Sequence, residues 1–296
     1  MIKEEKVLTT SVRSLYDLQK LRVSAGNRIC ASFRSKLGLE PSEAESTDVE
    51  AEKLLGQLRA EYRLMTEGVK KITRNTKPKS ELITSVAEMQ LIESYEQLVR
   101  AEETHEKIIT WELAKEKIWT DWLLNVRGVG PKMAGVIITE IDIRKCNSIS
   151  ALWKYAGLDV VVYEKDGEMV EEGRCRKKQH LVEKTYTTRE GNEEKTVGIA
   201  FNPRLKTKMI GVLGSSFIKL GGPYREIYDN YKHRLENHPK HMEKTKGHRH
   251  AMAVRYMIKE FLADLWTEWR TLEGLEVRPR YNEEKLGIYH SKEKAA

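Results

Sequence analysis

Residues 123–138 read LLNVRGVGPKMAGVII, and this stretch decides the fold of the second half of the chain. Its first apolar residues, Leu123, Leu124 and Val126, are typical of a helix end. Gly128 and Gly130 predict a tight turn with positive backbone φ angles, and Pro131 suits the first position of the next helix. The residues after the turn are small or apolar and predict a buried face: Ala134, Val136, Ile137 and Ile138. The order is typical of a helix-hairpin-helix element.

Such a turn presents backbone N–H groups beside the positive end of a helix, an arrangement that binds phosphate. Without side chains at its two glycines, a sugar-phosphate backbone can come close, while Arg127 and Lys132 add positive charge. Contacts of this kind position a protein on DNA without reading the base sequence. The predicted DNA-binding residues of the turn are Arg127, Gly128, Val129, Gly130 and Lys132. The alternative is a glycine turn that joins two core helices and binds nothing.

The positive charge of the chain is local. Residues 201–250 contain 11 Lys and Arg against 4 Asp and Glu, which accounts for the net charge of +7. Tyrosines are interleaved with these cations, a pattern expected for a polyanion partner. The segment adds six predicted DNA-binding residues: Arg204, Lys206, Lys208, Lys244, Lys246 and Arg249. The alternative is a solvated helix surface with an excess of lysine.

Histidine and cysteine patterns do not predict a metal site. Five of the eight histidines fall within residues 233–250, next to several cations: His233, His238, His241, His248 and His250. A polyanion-facing surface, a solvated loop and a metal site are the three interpretations. The cysteines, Cys30, Cys146 and Cys175, are far apart and form no CxxC pair for zinc. We expect no cofactor, and a divalent metal only if the protein is catalytic.

The first third of the chain reads as helix. Apolar residues spaced three and four apart predict a heptad seam: Leu55, Leu58, Tyr62, Met65, Val69 and Ile72. Residues 75–79, which include Pro78, break this helix. A second pattern over residues 80–116 carries Leu82, Val86, Met89, Ile92 and Leu98 on one side. We predict a long antiparallel helical hairpin, with a helix at 11–37 packed against it. The seam serves packing within the chain or, alternatively, a homodimer.

The sequence changes character near Trp119. Short helices at 119–141 and 148–156 lead to a β-branched run at 160–163 and to one or two β-hairpins. Helical patterns resume at 203–220, 224–237 and 249–272. The predicted fold is mainly α: a long N-terminal helical hairpin, then a helix-hairpin-helix domain with a small β-hairpin insertion. The predicted domains are 1–116, which is coiled-coil-like, and 117–275, followed by an extended tail at 276–296.

The composition also restricts partners and location. No run approaches the roughly 18 apolar residues of a membrane span, so no membrane partner is expected. The N-terminus lacks the basic-then-apolar layout of a signal peptide. These features predict a cytoplasmic, nucleoid-associated protein with duplex DNA as its partner, and structured RNA as the alternative.

Several blocks follow the hairpin in a characteristic order. They are TEIDI at 139–143, LWKYAGL at 152–158, NPRLK at 202–206, and a late helix from KGH at 246–248 through AVR at 253–255 to Trp266. Together with the hairpin they resemble the C-terminal domain of the bridge-RNA-guided insertion-sequence transposases of bacteria, the insertion-sequence one-ten/one-one-six group. The resemblance covers residues 119–273. It implies a DNA-binding, mobile-element protein of DNA transposition and recombination.

Two parts of that family's catalytic apparatus have no match in this sequence. Full-length members carry an N-terminal RNase-H-like domain with acidic metal ligands, whereas residues 1–110 read as helical. Their nucleophilic serine belongs to a Ser-Gly pair shortly after the Ala-Gly-Leu block, where this chain has KDG at 165–167. Ser215 and Ser216 fall in an apolar helical pattern typical of packing, and Asp142 and Asp159 lack a well-spaced second carboxylate.

The catalytic residues therefore stay unassigned. We expect a DNA-binding member of a transposase-like family that grips the backbone through the hairpin and the basic segment. One alternative is an active transposase or recombinase whose catalytic residues are displaced or supplied by a partner. The other is a structured-RNA-binding module.

Overall fold

The computed structural model describes residues 7–36, 47–67, 81–165 and 167–279. Its internal contacts divide the chain into two units, Met1–Glu112 and Leu113–Ala296. The first unit contains α1 (Val7–Lys36), α2 (Thr47–Glu67) and nearly all of α3 (Val86–Leu113). The predicted mainly α fold, with long N-terminal helices and a small β-hairpin insertion, is confirmed. No helix in the described ranges is long and apolar enough to cross a lipid bilayer.

The second unit alternates short helices with two β-hairpins before it ends on a long helix. In chain order its elements are α4 (Lys117–Asp121), α5 (Pro131–Glu140), α6 (Ile149–Tyr155), β1 (Val160–Lys165), β2 (Glu168–Gly173), β3 (Leu181–Thr187), β4 (Glu193–Ile199), α7 (Pro203–Thr207), α8 (Gly214–Leu220), α9 (Pro223–Asn237), α10 (Pro239–Met242) and α11 (Lys246–Leu272). Turns of 3-10 helix lie at Leu123–Asn125 and Lys178–His180.

Apolar residues of the three long helices and the segment before α3 form the core of the first unit. Its buried members are Ile29, Phe33, Leu58, Tyr62, Leu82, Ile83, Ile92 and Tyr95. The buried Glu61 carboxylate accepts hydrogen bonds of 2.9 Å from the N–H groups of Leu82 and Ile83. These bonds satisfy backbone donors that an extended segment would otherwise bury without partners.

The start of α3 and part of the predicted seam differ from the sequence prediction. The helix begins at Val86 rather than near residue 80, because Ser85 and Glu88 form a reciprocal cap: each backbone N–H bonds to the other's side chain. Val86 therefore precedes the packed part of the helix and is exposed, as is Met65 of α2. Leu58, Tyr62 and Ile92 are buried as predicted. Val69, Ile72 and the break at 75–79 lie outside the described residues.

Helix α11 supplies most of the core of the second unit. From Ala253 onward one face is buried, through Val254 and Phe261 to Trp266 and Trp269. The helix packs on α4, α6, α8 and α9. Two of its polar groups hold the loop between α5 and α6, since the Nε1–H of Trp266 and the guanidinium of Arg270 both donate to the carbonyl of Cys146. The apolar face of α11 is therefore the surface on which the other helices of this unit pack.

Two antiparallel hairpins follow α6, one more than the minimum that the sequence indicated. Strand β1 pairs with β2 from Val160 opposite Gly173 to Lys165 opposite Glu168. Strand β3 pairs with β4 from Leu181 opposite Ile199 to Thr187 opposite Glu193. Each pair forms its own two-stranded sheet.

The helical pattern predicted for residues 203–220 is not one regular α-helix. A π-helical turn at Lys208–Leu213 separates α7 from α8. Asn202 caps α7 by accepting a 3.0 Å hydrogen bond from the N–H of Leu205. Buried Leu205, Met209, Leu213 and Phe217 face inward through all three pieces, so the π turn adjusts the register of one inward face.

Candidate nucleic-acid interface

The predicted helix-hairpin-helix element lies in the second unit, with a first helix shorter than expected. Helix α4 ends at Asp121, and a 3-10 turn at Leu123–Asn125 leads to the glycine turn. Val129 closes that turn by donating a 3.0 Å hydrogen bond to the Val126 carbonyl. Leu123 and Val129 are buried, so core packing holds the turn on both sides.

Position 128 requires glycine for two separate reasons. Its φ angle is +102°, which side chains rarely permit. A Cβ atom built there would also lie 2.7 Å from Cδ1 of Phe217 in α8. The Ser216 hydroxyl, next to that ring, donates a 2.8 Å hydrogen bond to the Gly128 carbonyl. Helix α8 therefore fixes the shape of the turn.

Gly130 does not have the positive φ angle that the sequence predicted. Its φ and ψ angles are −94° and 172°, an extended conformation open to any residue. It precedes α5 as the N-cap residue, and no side chain caps the helix at this end. A Cβ atom at Gly130 would have no neighbour within 4 Å. Neither backbone strain nor packing therefore requires glycine here, and the position is open to a ligand.

A second glycine turn, which the sequence analysis did not single out, lies beside the first. Gly221 and Gly222 have φ angles of +75° and +104° and precede α9. The Cδ atom of Arg127 would lie 3.6 Å from a Cβ atom at Gly222. Both α5 and α9 begin with a Gly-Pro pair, at 130–131 and 222–223. That repeated pair was the available signal for the second turn.

Electrostatics distinguish the two helix N-termini. The first turn of α9 contains Glu226, whose negative charge opposes an anion, whereas the first turn of α5 contains no acidic residue. Arg127 is exposed and Lys132 half-buried. Lys219, a cation that the sequence analysis missed, is exposed in the last turn of α8. The N-terminus of α5 is therefore the better anion site.

The basic residues of α7 and of the π-helical turn after it are half-buried. Arg204 forms an ion pair with Glu140, with Nε 3.4 Å from Oε1. The Lys206 ammonium donates to the carbonyl of Arg174 and lies 4.8 Å from the centre of the Phe201 ring. Burial lowers the pKa of both Lys206 and Lys208. These three predicted contacts are half-buried structural cations rather than an open phosphate-binding surface.

The three basic residues near the start of α11 differ in exposure. Lys246 is exposed in the first turn, and Lys244 is half-buried just before it. Arg249 donates from Nη1 to the carbonyls of Met242 and Lys244 and thereby holds the turn before α11. Of these three predicted residues, Lys246 has the most accessible charge.

The clustered histidines have several separate local roles. His250 pairs with Tyr228 through a 2.7 Å hydrogen bond between Nδ1 and the hydroxyl. His238 caps α10 by accepting from the N–H of Lys240. Burial lowers the pKa of His241, and the charges of His238 and nearby lysines lower it further. In the part of the chain that the structure describes, no three His, Cys, Asp or Glu side chains converge in a metal-binding arrangement.

The side chains considered for catalysis all have structural partners. Ser215 donates to the Gly211 carbonyl within its own helical segment, and Ser216 donates to Gly128. Asp159 accepts two 2.8 Å hydrogen bonds from Arg174. Asp142 pairs with Lys145 at 3.1 Å. Packing and local pairing thus explain all four.

Comparison with known proteins adds no relative. No protein-family model matches the chain, and neither a curated protein nor a solved structure does.

Proposed function

We propose that the protein binds the sugar-phosphate backbone of duplex DNA at the turn that opens α5. The observation that carries this proposal is the open N-terminus of α5. Its cap is an exposed glycine that neither conformation nor packing requires, and no side chain occupies the capping position. An uncapped helix N-terminus with a bare backbone in front of it attracts phosphate oxygens.

Cations on the turn and on α8 complete the proposed interface. Arg127 and Lys132 belong to the turn and the start of α5, and Lys219 belongs to α8, the helix that packs on the turn. Lys246 is a separate exposed cation at the start of α11. Gly128 and Val129 shape the turn from within, whereas Arg204, Lys206, Lys208 and Arg249 are half-buried cations of the second unit. Contacts of this composition bind backbone charge and are independent of base sequence.

We further propose that the chain is a DNA-binding member of a transposase-like family, associated with a mobile element. The order of sequence blocks from the hairpin to Trp266 supports this proposal. The pairing of Ser216 with Gly128 favours a binding role over a serine nucleophile at that position. Strand cleavage or joining by the purified protein with a divalent metal would instead establish the active-transposase alternative.

Fluorescence anisotropy with a labelled 25-base-pair duplex tests the proposed interface. Lys132→Glu should weaken binding several-fold for unrelated sequences and reduce the salt slope, d log K/d log[salt], by about 1. Lys195→Glu, a charge reversal at an exposed site on β4, is the matched control and should leave the affinity within about twofold of wild type. Equal losses in both variants would indicate general charge attraction and refute the assignment to this turn.

A competition experiment decides between the two nucleic acids. At one salt concentration, unlabelled duplex DNA should displace the labelled duplex at a lower concentration than a folded RNA hairpin of the same length does. The opposite order would support the structured-RNA alternative and overturn the DNA proposal.

A further inference from the structure

The loop between β2 and β3 encloses a buried histidine beside a cysteine. Arg174 closes this loop: its guanidinium pairs with the Asp159 carboxylate at 2.7 Å, and its Nη1 donates to the His180 carbonyl. His180 is only 1% exposed, whereas Cys175 is half-buried. The loop thus holds an imidazole ring in the interior beside a half-buried cysteine.

The two side chains meet at one ring nitrogen. Nδ1 of His180 lies 3.2 Å from the Cys175 sulfur and accepts a 2.9 Å hydrogen bond from the Cys175 N–H. Because Nδ1 acts as the acceptor, the neutral ring carries its proton on Nε2. That Nε2 is buried without a hydrogen-bond partner and lies 3.7 Å from Oε2 of Glu172. A thiol, an imidazole and a carboxylate therefore lie in sequence.

The Glu172 carboxylate is held in its charged form. The hydrogen bond from Lys177 lowers the pKa of Glu172, and a 3.0 Å hydrogen bond from the Tyr163 hydroxyl lowers it further. Glu172 therefore places a negative charge 3.7 Å from Nε2, the ring nitrogen that does not contact Cys175.

Two cations donate to backbone carbonyls around the loop. Lys206 donates to the carbonyl of Arg174, the residue before Cys175, and Arg255 donates to the Asp159 carbonyl. Burial lowers the pKa of both Lys206 and Arg255, and the charges of Asp159 and Cys175 act in the opposite direction on each. An anionic sulfur at residue 175 would add to the counter-charge that Asp159 supplies.

We propose that Cys175 is a nucleophilic thiol that reacts with hydroperoxides, with His180 as its proton acceptor. The thiol proton moves to Nδ1, which gives up its hydrogen bond from the Cys175 N–H. The thiolate attacks one peroxide oxygen, and the O–O bond breaks. The leaving hydroxide takes the proton from the imidazolium, so that the thiol and hydrogen peroxide become a sulfenic acid and water. Lys206 and Arg255 stabilise the negative charge on sulfur. This site is separate from the proposed DNA-binding turn.

Alkylation of the native full-length protein by iodoacetamide, read out by peptide mass spectrometry, tests the reactivity. Cys175 should react about tenfold faster in the native chain than in urea, since an ordinary cysteine is only a few per cent thiolate near pH 7. Unfolding exposes Cys175 fully. A faster alkylation rate in the native protein therefore cannot result from better access to the thiol. Cys30 and Cys146, buried with a raised pKa, are internal controls and should react more slowly when native.

Substitutions separate the proton acceptor from its surroundings. His180→Asn should remove most of the difference between the native and the urea alkylation rates of Cys175. Glu172→Gln should reduce that difference several-fold, and it keeps the buried His180 ring in place. Lys195→Gln is the matched control and should react like wild type. If circular dichroism shows that the His180→Asn protein is unfolded, the alkylation rate of Glu172→Gln tests the proposal instead.

The peroxide step has its own readout. Brief exposure to hydrogen peroxide in the presence of dimedone should give an adduct at Cys175 and none at the two buried cysteines. A native Cys175 that reacts no faster than in urea would overturn the proposal. So would wild-type rates in both substitutions, or the absence of the dimedone adduct.

Discussion

Two glycines of the hairpin turn should respond very differently to substitution by alanine. Gly128→Ala forces a side chain into φ +102° and within 2.7 Å of the Phe217 ring. The backbone strain costs about 1–3 kcal/mol, and displacement of a packed ring costs about 1–3 kcal/mol more. We therefore expect a loss of about 2–6 kcal/mol of stability in the second unit.

Gly130→Ala is the matched control, two residues away on the same turn. Its extended backbone suits alanine, and its Cβ would meet nothing within 4 Å. Alanine restricts the unfolded chain more than glycine does, but it is a poorer N-cap residue than glycine. These effects oppose each other, so the stability of this variant should change by less than about 1 kcal/mol. Its DNA affinity should nevertheless fall, because the added methyl group lies where the proposed phosphate approaches.

Urea unfolding followed by tryptophan fluorescence measures both effects. Five of the six tryptophans belong to the second unit, so the signal reports mainly on that unit: Trp119, Trp122, Trp153, Trp266 and Trp269. With a slope of about 2 kcal/mol per molar urea, Gly128→Ala should lower the midpoint by about 1–3 M. A wild-type midpoint in Gly128→Ala, or an equal loss in Gly130→Ala, would refute the reasoning. Unchanged DNA binding in a stable Gly130→Ala protein would refute only the phosphate site.

Three further predictions concern other parts of the structure. Ser216→Ala should cost about 1 kcal/mol in urea unfolding because it removes the hydrogen bond to Gly128, while Ser215→Ala, which loses a bond only within its own helical segment, should cost less. Arg174→Leu should cost about 3–5 kcal/mol by the same measurement, since it leaves the Asp159 carboxylate without its buried partner; a cost below about 1 kcal/mol would contradict the ion pair's role. Hydrogen bonds from Lys36, Thr84 and Ser85 lower the pKa of Glu88 from 4.5 to about 2. A carboxyl group with a lowered pKa contributes stability above its ordinary pKa and loses it as the pH falls through the lowered value. Glu88→Gln should therefore lower the melting temperature at pH 7, and the difference from wild type should shrink between pH 4.5 and 2.

Local patterns predicted the architecture well where one physical requirement dominated. The apolar spacing of residues 249–272 corresponds to the buried face of α11, and the Gly-x-Gly-Pro order corresponds to the turn before α5. Where a cap competed with periodicity, the prediction was wrong. The reciprocal pair of Ser85 and Glu88 starts α3 later than its apolar pattern suggested, and Val86 is exposed as a result.

The candidate site was harder to predict because charge in a sequence does not reveal exposure. Lys206 and Arg249 look like surface cations, yet each donates to backbone carbonyls that only the folded chain brings near. The φ angle of Gly130 was likewise beyond the pattern, since a Gly-x-Gly turn does not say which glycine takes the positive angle. The closeness of Gly222 to Arg127 depends on contacts nearly a hundred residues apart in the chain.

The π-helical turn at Lys208–Leu213 makes the length of this segment matter more than its composition. A helix rotates by about 100° per residue, so deletion of one residue there would swing α8 by that angle about its axis. Ser216 and Phe217 would then point away from the glycine turn that they hold in shape. Substitutions within the π-helical turn keep the rotation of α8 relative to α7, whereas deletion of one residue changes it. Natural or engineered variants of this stretch should therefore tolerate substitutions far better than changes in residue number.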